Sequence, residues 1–214
     1  MGELRVAACG ELTGSQRDRV HEIYRQAFGA HHRVPFDELT ATGPADEFLA
    51  PLDGGEPVGF AAFRILSSAG WTFLRYYAIA ADRRSSGLGQ RFWRLVRSSV
   101  QAAGWPARIA LEVEDPGHVT GLGQPEVARA RIAFWTRCGC QVLPVGRYAM
   151  PGLTGATPAE PMLLLASDPA ATEISDGEIA DLVRAIYSER YQLAPQHPLA
   201  AAALASVGRR PATG

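Results

Sequence analysis

The sequence predicts an α/β protein: one domain that mixes strands and helices, followed by a helical extension at the C-terminal end. Three observations predict it. The first half holds a meander of apolar segments, and the apolar period then changes from that of a strand to that of a helix directly after a turn with two glycines. Near residue 175 a capping-box pattern starts another helix. We place the domain in residues 1–167 and the extension with its tail in residues 168–214.

The strands are justified by short apolar or β-favouring runs, each bounded by glycine, proline or polar turns. The three strands of the meander are separated by two such turns, the first of which carries Gly54 and Gly55. The predicted strands are 4–9, 47–52, 58–66, 71–80, 108–113, 140–145 and 162–166.

The helices are justified by apolar residues at helical spacing and by start and stop signals. Thr13 can cap a first helix, which residues 31–35 end because Pro35 disfavours helical geometry at the residue before it. Short helix 36–42, a helix between Gly89 and Gly104, and helix 126–137 follow.

The apolar faces of the last two helices can be read from the same spacing. The expected buried face of helix 126–137 consists of Val127, Ala130, Phe134 and Cys138. Ser175 and Glu178 form the capping box of tail helix 176–191. The expected buried face of that helix consists of Ile179, Leu182, Val183, Ile186 and Tyr187. Residues from 192 onward are rich in alanine and proline and are expected to pack loosely, with 209–214 disordered.

Composition narrows the function classes. Of the 214 residues, 47% are hydrophobic and 20% are charged, as in an ordinary globular protein, and the formal net charge of −1 argues against a general nucleic-acid binder. No apolar run approaches the roughly 20 residues that span a bilayer, and the start lacks the pattern of a signal peptide. We therefore expect a cytoplasmic protein without a membrane partner.

Cysteine and arginine usage add two further expectations. The three cysteines, Cys9, Cys138 and Cys140, lack the spacing of a zinc site, so no metal is expected. The chain contains no lysine, and many of its arginines lie between Arg75 and Arg147, where they would suit a phosphorylated ligand. A coding bias towards arginine is the plainer explanation for the missing lysine.

The most informative stretch is 77–90, which runs from a strand through a glycine turn into a helix. Gly87 and Gly89 allow the backbone to approach a ligand closely, and the start of the helix adds its positive end. Arg83 and Arg84 add charge, so the loop suits a pyrophosphate. It is neither a P-loop nor a Rossmann loop, because no Gly-Lys-Ser/Thr follows and Phe92 stands where a third glycine would be. The alternative is a tight turn that needs two glycines for its own geometry.

The order Arg-x-x-Gly-x-Gly resembles the acetyl-CoA signature of the GNAT superfamily, the Gcn5-related N-acetyltransferases, of the bacterial small-molecule type. Leu111-Glu112-Val113 resembles the next strand of that family, and residues 134–140 resemble its Phe-Tyr-x-x-x-Gly-Phe segment. The resemblance covers about residues 4–166. It implies a GNAT fold with a mixed sheet of about seven strands, splayed between strands 4 and 5, which are 71–80 and 108–113.

The resemblance also implies how acetyl-CoA, the acyl-donor cosubstrate, would bind. The pantetheine arm would pair with backbone near the end of strand 71–80, the pyrophosphate would rest on N–H groups of the loop, and an aromatic residue would shape the thioester pocket. The implied cofactor-binding residues are Ala78, Ile79, Ala80, Ala81, Arg84, Ser85, Ser86, Gly87, Leu88, Gly89, Gln90 and Trp135.

Acyl transfer to an amine needs a base, a donor to the oxyanion and an acid for the departing thiolate. In members of the family that acetylate α-amines, a glutamate in the matching strand is the base, which implies Glu112 here. Glu114 lies on the same face of the strand and is the reserve candidate. For either residue the alternative is a solvated charge at a strand end.

The chain departs from the family at Trp135, where a tyrosine is usual and is thought to protonate the thiolate. An indole N–H donates a hydrogen bond but is not a useful acid. Tyr148, Tyr77 or a water could substitute, or the proton could come from solvent. The candidate catalytic residues are Glu112, Glu114 and Tyr148.

These observations predict an N-acyltransferase that moves an acetyl or other short acyl group from acyl-CoA to a primary amine of a small metabolite or amino-acid-like acceptor. One alternative is a GNAT-like transferase with an acyl- or aminoacyl-tRNA donor, which the arginines keep open and the net charge disfavours. Another is a non-catalytic acyl-CoA sensor, which Trp135 motivates. Monomer and homodimer both stay open.

Overall fold

The computed structural model describes residues 4–84, 86–119, 124–153, 158–171 and 173–211. These residues form nine strands and six α-helices, which confirms the α/β class. The strands are β1 Leu4–Ala8, β2 Asp46–Asp53, β3 Glu56–Pro57, β4 Gly59–Leu66, β5 Trp71–Ile79, β6 Ile109–Glu114, β7 Gln141–Val142, β8 Ala149–Met150 and β9 Glu160–Ser167. The helices are α1 Gly14–Ala27, α2 Phe36–Thr40, α3 Leu88–Ala102, α4 Gln124–Arg137, α5 Asp176–Ala185 and α6 Pro198–Leu204, with a π-helix at Ile186–Arg190.

The chain forms two compact units. Unit 1 consists of Met1–Ile65 and Leu74–Trp105, and unit 2 consists of Leu66–Phe73 and Pro106–Gly214. Unit 1 orders its strands β1-β2-β4-β5, and unit 2 orders three further strands β6-β9-β7. Strands β3 and β8 lie off these two runs and pair with β2 and β9, so seven strands remain along the sheet order, as predicted.

Unit 1 packs α1 against the meander. Thr13 caps α1 as predicted, because its hydroxyl accepts the Gln16 N–H and the Gln16 side chain accepts the Thr13 N–H. The prediction that α1 continues to residues 31–35 is wrong, since the helix ends at Ala27. Phe28 turns out of the helix into extended backbone, where its ring packs edge-on against Tyr76 at 5.0 Å.

Unit 2 is built on β9, which pairs antiparallel with β6 and β7. In the first pair Glu112 lies opposite Leu164. The strand predicted at 140–145 is only two residues long, because Pro144 has no N–H with which to continue the ladder. Strand β8, which the sequence did not predict, pairs Ala149 with Pro161.

The buried face predicted for α4 is wrong at Val127, which is 44% exposed, and at Ala130, which is also exposed. Cys138 is buried as predicted, and Ala128 and Trp135 are buried as well. The helix is therefore rotated by about one residue from the predicted orientation. The indole of Trp135 offers the largest apolar area on the helix, and its burial outweighs that of Val127.

The C-terminal part of the chain packs more tightly than its composition suggested. The capping box of α5 is confirmed, and all five predicted face residues are buried. The prediction of loose packing after residue 192 is wrong: Ala200 and Ala203 of α6 are buried, and Val207 forms a β-bridge with Val145. Small alanine side chains allow this close approach. In the segment predicted to be disordered, the Arg209 N–H donates to Ser206 O at 3.1 Å, and 212–214 lie outside the described residues.

The splay between the strands 71–80 and 108–113 stays a prediction, as does the boundary at residue 167. Within the described part of the chain, no helix has the length and apolar character needed to cross a membrane.

Candidate active site

The first candidate region is the loop of unit 1 that joins β5 to α3, called here the donor loop and defined as residues 84–89. Ala78, Ile79 and Ala80 lead into it and are buried, whereas Ala81 is exposed and begins a 3-10 turn. The Ala80 N–H donates to Val58 O at 3.0 Å, which ties the end of β5 to the preceding strand segment.

Gly87 gives the donor loop its shape. It is the N-cap of α3 and has left-handed backbone with φ of 75°, which glycine adopts without strain. Gly87 has no side chain to cap the helix, so within the described residues the first N–H groups of α3 have no cap from that position and suit another acceptor. The positive end of the helix lies at the same point, and such a terminus suits an anion.

Side chains brace the donor loop from within unit 1. The Arg84 Nε–H donates to Ile79 O at 3.1 Å, the Ser86 hydroxyl donates to Arg83 O at 2.8 Å, and the Tyr77 hydroxyl donates to Gly89 O at 2.5 Å. The implied cofactor residues Leu88 and Gln90 are buried and half-buried, and Arg84 is exposed. Arg83, just before the loop, forms an ion pair with Asp53 at 3.2 Å, which partly neutralises its charge. Arg84 is therefore the better candidate of the two to bind an anion. Ser85 lies outside the described residues.

The second candidate region lies in unit 2 and is called here the glutamate centre: Glu112, Tyr148 and Tyr191. The Tyr148 hydroxyl donates to Oε1 of Glu112, and the Tyr191 hydroxyl donates to Oε2 at 2.6 Å. Glu112 is in the middle of β6, between the buried residues Leu111 and Val113. One carboxylate is thus held by two phenols, one on each oxygen.

Burial shifts the titration of all three groups. Burial raises the pKa of Glu112, although hydrogen bonds from Tyr148 and Tyr191 and the charge of Arg190 oppose the shift. The pKa values of both tyrosines are raised well above their usual range by burial and by the negative charge of Glu112. The phenols therefore remain protonated donors at neutral pH, and Glu112 is a stronger base than an exposed glutamate.

Glu114 is not part of the glutamate centre. Its carboxylate pairs with the guanidinium of Arg131 on α4. Just beyond the strand, the Nδ1 atom of His118 lies 2.9 Å from Oδ2 of the buried Asp115, and the Gly117 N–H donates to Oδ1 of the same aspartate. This second polar cluster is local to the loop after β6.

Trp135 is buried in α4, and its ring packs edge-on against Phe134 with 4.9 Å between the centroids. Its carbonyl accepts N–H groups of Cys138 and Cys140, both at 3.0 Å, across the turn at Gly139. Trp135 therefore has a structural role in unit 2, and its contact with a thioester stays a prediction.

The structure brings together two of the three predicted catalytic residues, Glu112 and Tyr148. Tyr77, the other tyrosine considered as an acid, is bound instead to the backbone of the donor loop. Sequence reasoning missed Tyr191, which was expected only as the end of the tail helix. The capping box predicted that this helix starts, but no signal in the sequence showed which side chain after residue 187 would reach β6.

Comparisons with known proteins identify the family. The model of the acetyltransferase (GNAT) family matches residues 17–121, and the search of curated proteins gave no match. A structure from Bacteroides thetaiotaomicron, assigned to the GNAT family of acetyltransferases, is similar with a TM-score of 0.66 and 20% identity, covering 89% of this chain and 99% of that one.

Two structures of characterised acetyltransferases share the fold. An aminoglycoside 6'-N-acetyltransferase in complex with coenzyme A is similar with a TM-score of 0.53 and 16% identity, over 76% of this chain and 96% of that one. The ribosomal-protein-S18-alanine N-acetyltransferase from Escherichia coli gives a TM-score of 0.53 and 16% identity, over 81% and 99%. The family match therefore identifies residues 17–121 as a domain of the GNAT acetyltransferase family, and these structures share its fold.

Proposed function

We propose that the chain is an N-acyltransferase that moves an acetyl or other short acyl group from a coenzyme A thioester to a primary amine of a small metabolite or amino-acid-like acceptor. The observation that carries the proposal is the hydrogen bond from Tyr148 to Glu112. This bond pairs Glu112, a base whose pKa is raised, with Tyr148, a proton donor, in a chain that matches an acetyltransferase family.

The donor half of the proposal rests on the donor loop. We assign the pyrophosphate of coenzyme A to the backbone N–H groups of residues 84–89, with Gln90 beside them, and the pantetheine arm to residues 78–81. The left-handed Gly87 and the uncapped start of α3 support this assignment. The aminoglycoside acetyltransferase of similar fold was solved with coenzyme A, which supports the same donor here.

The catalytic half of the proposal assigns one proton transfer to each member of the pair. Glu112 takes a proton from the acceptor ammonium, and the free amine attacks the thioester carbonyl. When the tetrahedral intermediate collapses, the C–S bond breaks, the nitrogen that attacked gives up its second proton to solvent, and Tyr148 gives its proton to the thiolate. Tyr148 then regains a proton from Glu112 through their hydrogen bond, which returns both groups to their starting state.

The acceptor is the least constrained part of the proposal. The similar structures include one enzyme named for an aminoglycoside and one named for the alanine of a ribosomal protein, so the fold accommodates small and protein acceptors. We favour a small amine, since the sequence has no acidic run that would recognise a basic peptide.

The test is a thiol-release assay with acetyl-CoA across a panel of aminoglycosides, amino acids and polyamines. We expect Glu112→Gln to lower kcat by about 10²–10⁴-fold, because the amide cannot take a proton, while the affinity for coenzyme A measured by calorimetry is unchanged. Glu114→Gln is the matched control two residues along the same strand. If Glu114→Gln loses turnover and Glu112→Gln does not, Glu114 is the base instead of Glu112.

The same assay separates the alternatives. Tight binding of acetyl-CoA without thiol release for any amine would favour the sensor. Binding of tRNA that weakens with salt, together with no binding of acetyl-CoA, would favour the tRNA-dependent transferase.

A further inference from the structure

The glutamate centre receives both of its tyrosines from beyond the matched residues 17–121, and Tyr191 comes from the more distant, C-terminal segment. Tyr191 follows the π-helix Ile186–Arg190, seventy residues beyond the end of the match at residue 121, and its hydroxyl donates to Glu112 Oε2 at 2.6 Å. We propose that Tyr191 is a positioning residue for Glu112, so that the C-terminal segment 186–192 completes the catalytic centre. This inference rests on the proposed function for its catalytic meaning.

The backbone of this segment is unusual where Tyr191 is presented. The Tyr191 N–H donates to Ile186 O at 3.1 Å, which is the five-residue spacing of a π-helix rather than the four-residue spacing of an α-helix. π-helices are rare, and those that occur are often found at functional sites. They cost stability, and other interactions must offset that cost. The π-turn inserts one extra residue and so changes the direction in which the following side chain projects.

The next residue adds a second departure from ordinary backbone. Gln192 has φ of 55°, and it is the one non-glycine residue with positive φ in the described part of the chain. A left-handed non-glycine residue costs about 1 kcal/mol or more and persists where the surroundings fix it. Two unfavourable features therefore flank the residue that contacts Glu112.

Contacts on both sides hold segment 186–192 in place within unit 2. The Tyr187 hydroxyl donates to Ala149 O at 2.8 Å, directly beside Tyr148. The Glu189 carboxylate accepts the N–H groups of Ser67 and Ser68, at 2.7 and 3.0 Å. Tyr191 is thus presented from a fixed support, which is what a positioning role requires.

The hydroxyl of Tyr191 acts on Glu112 in two ways. With Tyr148 on Oε1 and Tyr191 on Oε2, rotation of the carboxylate about its last torsion would break both hydrogen bonds. Each bond also favours the charged form, which opposes the effect of burial.

Arg190 of the same segment is a further described group that lowers the pKa of Glu112, by its charge, whereas the neighbours of Glu112 on β9 and β6 differ from it. Leu164, opposite Glu112 on β9, is apolar, and Glu114 on the same strand is paired with Arg131 of α4. Tyr191 and Tyr148 are the two described residues that donate hydrogen bonds to the carboxylate.

Tyr191→Phe tests the proposal through the pH dependence of kcat/KM. Glu112 must be ionised to act as base, so turnover falls as the pH drops through its pKa. Loss of one stabilising hydrogen bond raises that pKa, and the acid limb of the profile moves to higher pH. We expect kcat on the plateau to fall by roughly tenfold and KM for acetyl-CoA to stay unchanged.

A second readout does not depend on activity. Carbon-13 NMR of glutamate-labelled protein follows the titration of the Glu112 carboxyl, identified by its absence in Glu112→Gln. Ser188→Ala is the control, because it removes a hydroxyl of the same π-helix that donates to Arg184 O and not to Glu112. An unchanged titration of Glu112 in Tyr191→Phe would overturn the proposal, whatever the activity. If the wild-type protein releases no thiol with any amine and the titration of Glu112 still shifts in Tyr191→Phe, the positioning role is supported and the transferase is rejected.

An isosteric change guards against misfolding of the phenylalanine variant. Incorporation of 3-fluorotyrosine at position 191 keeps the packing and makes the phenol a stronger donor. The acid limb and the carboxyl titration should then move to lower pH, opposite in sign to Tyr191→Phe, and a shift of the same sign would overturn the proposal.

Discussion

In unit 1 the donor loop is formed by residues 84–89, which are neighbours in the sequence, whereas in unit 2 the partners of Glu112 lie 36 and 79 residues away along the chain. The loop offers backbone N–H groups, and its shape depends on one left-handed glycine. The glutamate centre offers side chains, and its properties depend on hydroxyl groups and burial. The first region should therefore be sensitive to backbone geometry, and the second to the loss of single polar atoms.

The largest expected effect is that of Gly87→Val on binding of coenzyme A. A β-branched residue with φ of 75° is strained by about 1–2 kcal/mol, and its side chain would occupy the space that a phosphate must approach. Among the residues that the structure describes, no heavy atom beyond the adjacent residues lies within 4 Å of a Cβ placed on Gly87, so the fold should tolerate the change. We expect affinity to fall by about 100-fold or more in calorimetry, which corresponds to about 3 kcal/mol.

Gly104→Val is the matched control for this prediction. Gly104 follows the other end of α3, has φ of 71° and also has open space around a built Cβ. It carries the same backbone strain without a proposed ligand. Equal affinities of the two variants for coenzyme A would remove the donor loop from the binding site.

The next effect is that of Tyr148→Phe on turnover. If Tyr148 protonates the thiolate, its loss should lower the plateau of kcat by about 10²-fold, at the low end for general acid catalysis. The variant also loses a hydrogen bond that lowers the pKa of Glu112, so the acid limb moves to higher pH as in Tyr191→Phe. Tyr148→Phe and Tyr191→Phe should both move the acid limb of the pH profile to higher pH, and Tyr148→Phe should lower the plateau of kcat further.

Tyr77→Phe sharpens the contrast between the regions. Its hydroxyl holds Gly89 O of the donor loop, so its loss should appear in the affinity for coenzyme A and not in the pH profile. An unchanged plateau in Tyr148→Phe would mean that the thiolate leaves without that acid.

The same contrast explains what the sequence could predict. The turn at Gly87, the cap at Thr13 and the box of Ser175 with Glu178 are set by residues within a few positions of each other, and all three are confirmed as local structures. Glu112 was assigned through a three-residue match to a family strand. Local sequence is sufficient for such features because the interactions that form them are local.

What the sequence could not predict depends on distant contacts. The bond from Tyr191 to Glu112 joins residues 79 positions apart and follows a π-turn, and the rotation of α4 accompanies the burial of Trp135. The segment after residue 192 was predicted to pack loosely because an alanine-rich composition does not indicate which surfaces the alanines pack against. Tertiary burial decided each of these cases.

The smallest effects concern the two capping boxes, one in each unit. Thr13→Ala removes the cap of α1 and should lower the free energy of unfolding by about 1 kcal/mol, measured by urea titration. The partner Gln16 is uncharged, so this loss should not change with pH. Ser175→Ala removes the corresponding cap of α5, where the partner Glu178 is ionised.

Ser175 and then Arg108 hold the pKa of Glu178 down at about 2. A glutamate with a lowered pKa in the folded state stabilises the protein above its unfolded pKa, and this stabilisation is lost as the pH falls through the folded value. Ser175→Ala should therefore cost most at neutral pH, and its penalty should shrink from about pH 4.5 downward. Parallel penalties for the two variants between pH 7 and pH 3 would show that the charge of Glu178 adds nothing to the cap, and both boxes would then act through their hydroxyl groups alone.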